Sequence, residues 1–111
     1  MLPVTLPAVL RAAATETPDA EALVSGDVRL TFAGLQDEVS RFARGALAAG
    51  VAPGDRVAVW APNTESWVIA ALGAVSVGPV LVPVNTRFKG EEARLALATT
   101  GACLLVGAAT L

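Results

Sequence analysis

The polar segment Asn85-Thr86-Arg87 is the part of the sequence best suited to hold a ligand. It follows the apolar run Val80–Val84, which is typical of a buried strand. Open α/β sheets bind ligands beyond the carboxyl ends of their strands, and this segment lies at such an end. Arg87 could grip a phosphate, because its guanidinium is planar and permanently charged. An exposed loop arginine without a ligand is the alternative, and the residue types alone favour it.

Other polar residues have structural explanations. Asp55 follows the Pro53-Gly54 turn and is predicted to accept hydrogen bonds from backbone amides there. Asn63 is predicted to cap a helix or to form a turn. Cys103, within an apolar run, is predicted to be a small core residue. Trp60 is predicted to pack against its neighbours, and the same is expected of Trp67.

Motifs that would indicate catalysis are absent from the sequence. It has no Walker-type phosphate loop, no GxSxG, no CxxC and no zinc-ligand spacing. It also has no histidine, the commonest general base and metal ligand. Glu91 and Glu92 suit the positive end of a helix dipole better than a catalytic carboxylate pair. We therefore predict no catalytic residue and no metal ligand in this chain.

The elements that position these residues are predicted from hydrophobic periodicity. A long helix from Thr31 to Gly50 carries an apolar stripe with spacings of three and four residues. Its members are Phe32, Leu35, Val39, Phe42, Ala46 and Leu47. Further helices are predicted at 5–15, 64–77 and 91–100, and strands at 21–24, 28–30, 56–60, 80–84 and 103–106. The later part alternates strand and helix, which predicts an α/β fold with a mostly parallel sheet flanked by helices.

The composition indicates surplus apolar surface. The chain has 111 residues, of which 54% are hydrophobic and 16% charged. A small domain leaves roughly a third of its surface exposed, so we expect exposed apolar faces and possible self-association. The uncharged run Trp67–Val84 approaches the length of a membrane span, but Gly78-Pro79 interrupts it. A buried helix followed by a buried strand is the preferred interpretation, so no transmembrane segment is predicted.

The charge and the cysteine content limit the classes of binding partner and the cellular compartment that we expect. The net charge is −2, without a basic stripe, so we expect no nucleic-acid partner. One cysteine allows no internal disulfide and fits a reducing cytoplasm. The N-terminus lacks the pattern of a signal peptide.

Five segments together resemble the N-terminal part of the adenylate-forming enzymes, in particular the AMP-forming acyl-CoA synthetases. In order, they are LTFAGLQDEVSRFARGAL, GVAPGDRVAVWAPN, SWVIAALGAVSVGPVLVPVN, TRFKGEEARLAL and TGACLLVG. Their order and spacing carry the resemblance more than any one segment does. The segment VPVNTRFKGEEA is most similar to the corresponding segment of actinobacterial members that act on fatty acids or on steroid-derived acids.

The resemblance implies an activity and a set of cofactors. Such enzymes use ATP, with Mg²⁺, to convert a carboxylic acid to an acyl-adenylate, and then transfer the acyl group to coenzyme A. It also implies that Asn85, Thr86, Arg87 and Phe88 lie where the nucleotide end of coenzyme A approaches. The family's phosphate loop, its ribose-binding acidic residue and its C-terminal catalytic lysine have no counterpart in these residues.

The expectation is therefore an incomplete N-terminal portion of an AMP-binding domain over residues 1–111. By itself it is expected to be inactive and to bind none of the cofactors tightly. The alternative is a non-catalytic interaction or oligomerisation module that uses the same fold.

Overall fold

A computed structural model describes residues 5–62 and 64–107 of the chain. Helices and strands alternate along most of it. In chain order they are α1 Leu6–Glu16, β1 Glu21–Ser25, β2 Val28–Thr31, α2 Phe32–Ala48, β3 Arg56–Trp60, α3 Glu65–Val75, β4 Val80–Pro83, α4 Gly90–Thr100 and β5 Leu104–Gly107. The predicted elements are all present, with ends shifted by one or two residues.

The helix ends follow local chemistry. The Thr31 hydroxyl accepts a hydrogen bond from the Gly34 amide at 3.1 Å, as expected for an N-cap. Gly50 follows α2 with φ of 93°, and Gly101 ends α4 with φ of 68°. These left-handed conformations favour glycine, which confirms both predicted stops. Thr64 occupies the N-cap position of α3 without a side-chain cap bond, and the predicted cap Asn63 lies outside the described residues.

Three strands form a parallel sheet in the order β4-β3-β5. Val57 of the central strand lies in register with Leu81 on one side and Leu104 on the other. Strands β1 and β2 form a separate antiparallel hairpin, which packs with α1 and α2 around Leu10 and Leu35. The α/β fold with a mostly parallel sheet is thus confirmed.

Both faces of the parallel sheet are covered by helices. Val57 packs with Ala46 of α2 and Ala74 of α3. Ala58, the next residue, packs with Ala93 of α4. Successive strand residues point to opposite faces, so α2 and α3 cover one face and α4 the other.

The uncharged run that resembled a membrane span is divided between α3 and β4. Gly78, with φ of 93°, and the buried Pro79 separate the two elements. No helix in the described part of the chain is long and apolar enough to cross a bilayer. The interpretation as a helix followed by a strand is confirmed, but the prediction that the strand is buried is wrong. β4 is an outer strand of the sheet, and its first and last residues, Val80 and Pro83, are exposed.

The prediction that Cys103 is a core residue is wrong. Cys103 is exposed and precedes β5, at the turn that leads out of α4. Its backbone amide donates to the Arg56 carbonyl at 2.8 Å, which fixes the start of β5, but its side chain lies outside the covered part of the sheet. An apolar run alone does not show which of its residues stands at the uncovered end.

Large apolar side chains also remain on the surface, as the composition predicted. Leu105 on β5 is 44% exposed, Leu95 on α4 is 63% exposed and Val80 on β4 is 52% exposed. Both outer strands of the parallel sheet therefore carry uncovered apolar residues.

Candidate functional site

The candidate site lies where β3 and β4 end side by side. From β3 the chain turns to α3 on one face of the sheet, and from β4 it turns to α4 on the other face. The two connections diverge, so a crevice opens between them at the carboxyl ends of the strands. This is the topological switch point at which open α/β sheets bind ligands.

The crevice has a volume of about 410 Å³. That volume lies within the range of small-molecule sites, roughly 300–1,000 Å³. Its lining combines apolar walls with polar groups at one side. The lining residues are Ala61, Trp67, Pro83, Val84, Asn85 and Thr86.

Hydrogen bonds within the loop after β4 fix its shape. The Asn85 side-chain Oδ1 accepts from the Arg87 amide at 2.9 Å, which closes a short turn over Thr86. The Asn85 carbonyl accepts from the Phe88 amide at 3.0 Å. The same carbonyl accepts from Trp60 Nε1 at 3.1 Å.

The structure brings three of the four predicted site residues together on the surface. Asn85, Thr86 and Arg87 are exposed. Phe88 differs from them, because its ring is half-buried and packs against the cluster of Ala58 and Ala93. Phe88 thus anchors the loop to the core, while its three neighbours face solvent.

The loop carries positive charge close to the crevice. Arg87 and Lys89 are exposed, and neither forms an ion pair within the described residues. The nearby carboxylate of Glu91 pairs instead with Arg94 on α4 at 3.1 Å. The arrangement suits an anionic ligand such as a phosphate.

Two residues that the sequence suggested were merely packing have further contacts at the site. Trp67 lines the crevice from α3, and Trp60 donates its indole hydrogen to the loop. A half-buried tryptophan usually finds an acceptor for its N–H, and Trp60 stands at the carboxyl end of a strand. Those two facts together could have indicated from the sequence that Trp60 contacts the candidate site.

Other polar residues have structural roles. Asp55 Oδ2 accepts from the Ala52 amide at 2.9 Å, which confirms the prediction for that turn. Within residues 5–62 and 64–107, no three His, Cys, Asp or Glu side chains come close enough to hold a metal ion. None of the described residues that line the crevice carries a carboxylate, the side-chain group through which proteins usually hold Mg²⁺.

Comparison with known proteins gives a consistent result. The profile of the family described as "AMP-binding enzyme" matches residues 10–111. In Rhodococcus jostii (strain RHA1), 3-[(3aS,4S,7aS)-7a-methyl-1,5-dioxo-octahydro-1H-inden-4-yl]propanoyl:CoA ligase is 48% identical over 104 residues, covering 94% of this chain and 20% of that protein. The mitochondrial medium-chain acyl-CoA ligase ACSF2 of Bos taurus is 41% identical over 99 residues, covering 87% of this chain and 16% of its own length.

A solved structure shows the same arrangement of elements. The N-terminal domain of FACL13 from Mycobacterium tuberculosis superposes with a TM-score of 0.91 and 34% identity. The match covers 96% of this chain and 28% of that one. The chain thus spans about a fifth of the length of the curated relatives it matches. The resemblance noted from the five sequence segments is confirmed, and the chain belongs to the AMP-binding enzyme family.

Proposed function

We propose that this chain forms the amino-terminal portion of an acid–CoA ligase, with residues 1–111 belonging to a larger AMP-binding domain. Such a ligase joins a carboxylic acid to the AMP part of ATP and releases pyrophosphate. It then passes the acyl group to the thiol of coenzyme A, with AMP as the leaving group. Family membership and the relatives named as CoA ligases support this proposal.

The part of this reaction that we assign to the chain is contact with the nucleotide end of coenzyme A. The supporting observation is the exposed trio Asn85, Thr86 and Arg87, which the loop's own hydrogen bonds hold beside the crevice. Arg87 can pair with a phosphate, and the Thr86 hydroxyl and Asn85 amide can donate further hydrogen bonds. Phe88 supports the loop from behind.

ATP and Mg²⁺ are proposed to bind groups outside these residues. When bound, Mg²⁺ stabilises negative charge on the phosphates. By itself the chain is therefore expected to be inactive. The acid is proposed to be a fatty acid or a steroid-derived acid. In support, one curated relative is named for medium-chain acyl groups and the other for a propanoyl group on a methyl-dioxo-octahydroindenyl ring system. A cytoplasmic location stays a prediction.

Replacing Arg87 by alanine is expected to weaken binding of adenosine 3′,5′-bisphosphate, a fragment of coenzyme A, by about tenfold at low salt. Hydrogen bonds to charged groups contribute roughly 1.5–3 kcal/mol, and exposure to salt reduces this. Isothermal titration calorimetry at low and high salt measures the change. Arg44→Ala is the control, because it removes an exposed arginine from α2 instead.

Two results would count against the proposal. Equal loss of binding in Arg44→Ala would show that the bisphosphate is attracted to positive charge in general and not to Arg87 in particular. Robust ATP–pyrophosphate exchange by the unmodified chain would place an ATP site within these residues.

A second candidate function is an interaction or oligomerisation module. The observation that favours it is an apolar groove of about 280 Å³ between α2 and the outer strand β5. None of the described residues that line it is charged; they are Phe42, Gly45, Ala46, Ala49, Leu104 and Val106. A second apolar hollow of about 200 Å³ lies along α3, near the other outer strand.

If this groove drives self-association, Ala49→Lys is expected to reduce it, because Ala49 is exposed and lines the groove. The lysine would place a charge within the apolar lining, and burying an unpaired charge between molecules is costly. Light scattering coupled to size exclusion measures the mass. Leu95→Lys is the control, since Leu95 is 63% exposed and lies on α4, outside the groove. An unmodified chain that is monomeric at high concentration, or equal effects of both lysines, would eliminate this role for the groove.

A further inference from the structure

Trp60 connects the end of β3 to the loop that follows β4. Its Nε1 donates to the Asn85 carbonyl at 3.1 Å, between residues 25 apart in sequence. That carbonyl also accepts from the Phe88 amide at 3.0 Å. A carbonyl oxygen has two lone pairs, so it can accept both bonds together. The loop is therefore held by its own backbone and, independently, by the neighbouring strand.

The position of the Trp60 ring is itself restrained. It is half-buried and packs against the same cluster of Ala58, Val84 and Ala93 that anchors Phe88. The ring and the loop thus share one apolar support. Movement of either would have to disturb that cluster.

Trp60 does not belong to the lining of the crevice, whereas Trp67 does. A direct ligand contact is therefore not the role that the geometry gives Trp60. Its contact with the site runs through the backbone of Asn85, the first residue of the exposed trio.

We infer that Trp60 is a positioning residue, whose hydrogen bond holds Asn85, Thr86 and Arg87 in the arrangement that receives the ligand. This inference rests on the proposed function of the loop. A loop held in its bound shape loses less conformational entropy when the ligand arrives. Without the indole N–H, the Asn85 carbonyl keeps its bond to Phe88 but loses its attachment to β3.

The test is Trp60→Phe in the full 111-residue chain, which removes the N–H and keeps an aromatic ring. Adenosine 3′,5′-bisphosphate is expected to bind about three- to tenfold more weakly, the range that corresponds to one hydrogen bond. Amide hydrogen exchange at Arg87 and Phe88 is expected to become faster in the absence of ligand. Calorimetry and mass-spectrometric exchange give the two readouts.

Val82→Ala is the matched control. Val82 is half-buried in the same cluster but makes no side-chain hydrogen bond. It is expected to reduce stability while leaving the affinity for the bisphosphate and the exchange of the loop amides unchanged.

Unchanged affinity and exchange in Trp60→Phe would overturn the inference. Equal weakening by Val82→Ala would also overturn it, since packing would then explain the effect. If the unmodified chain binds no bisphosphate, the proposed function of the loop fails, and the exchange rates decide the role of Trp60 by themselves. If the loop amides then exchange as slowly in Trp60→Phe as in the unmodified chain, the positioning role of Trp60 is refuted.

Discussion

Replacing Leu35 by alanine is expected to lower the free energy of unfolding by about 2–5 kcal/mol. Leu35 is 5% exposed and lies with Leu10 and Val39 at the centre of the cluster that joins α1, α2, α3 and the hairpin. Truncation removes apolar contacts and leaves a cavity that four elements line. Those elements cannot all move inward to fill it.

Urea unfolding followed by circular dichroism measures the change by linear extrapolation. Leu47→Ala is the matched control, because it makes the same substitution in the same helix at a side chain that is 55% exposed. Its expected cost is below about 1 kcal/mol. Similar losses in both variants would refute the assigned core. If Leu35→Ala has no folded baseline, the milder Leu35→Val provides the comparison.

Gly73→Ala is expected to destabilise the chain by about 1–3 kcal/mol through overpacking. A Cβ added at Gly73 would lie 2.7 Å from Phe42 Cδ1 and 2.9 Å from Phe42 Cβ. The second distance is decisive, because the Cβ of Phe42 is fixed to the α2 backbone and cannot swing away. Helices α2 and α3 would have to separate, and both cover the same face of the sheet.

Gly45→Ala provides a control with the opposite expected sign. A Cβ there meets no atom of the described residues within 4 Å, so the gain in helix propensity acts alone. That gain is about 0.5–1 kcal/mol. The two variants can be compared in parallel urea titrations. A stabilising Gly73→Ala would mean that α2 and α3 do not approach each other as described.

The apolar stripe of α2 shows how far periodicity predicts burial. Leu35, Val39 and Ala46 are buried as predicted. Leu47 was assigned to the same stripe, yet it is largely exposed. At 3.6 residues per turn it lies about 120° around the helix from Leu35, whereas Ala46 lies about 20° away. Leu47 follows Ala46 directly and fits the spacing of three and four residues, so it was assigned to the stripe. The face of α2 that is buried is narrower than that spacing allows, and Leu47 lies outside it.

The loop from Asn85 to Phe88 was predicted in place but not in detail. The apolar run before Asn85 was enough to place the loop at the carboxyl end of a strand. The inward position of Phe88 depends on α4 and β3, which a local pattern does not describe. The bond from Trp60 likewise depends on how two strands lie side by side. The prediction that Cys103 is a core residue was wrong for a similar reason. Burial of a residue at the end of a strand depends on which elements cover that end.

The central place of β3 in the sheet has a consequence for synthesis on the ribosome. β3 is the first parallel strand to emerge, but its partners β4 and β5 are made later, and β5 must cross to its far side. At about 5–20 residues per second, roughly 2–10 s pass between the end of β3 and the end of β5. During that time the fully buried Val57 and Val59 lack at least one of their two strand neighbours. The nascent chain therefore has a period in which the strand that is most buried in the folded sheet is open to wrong pairing.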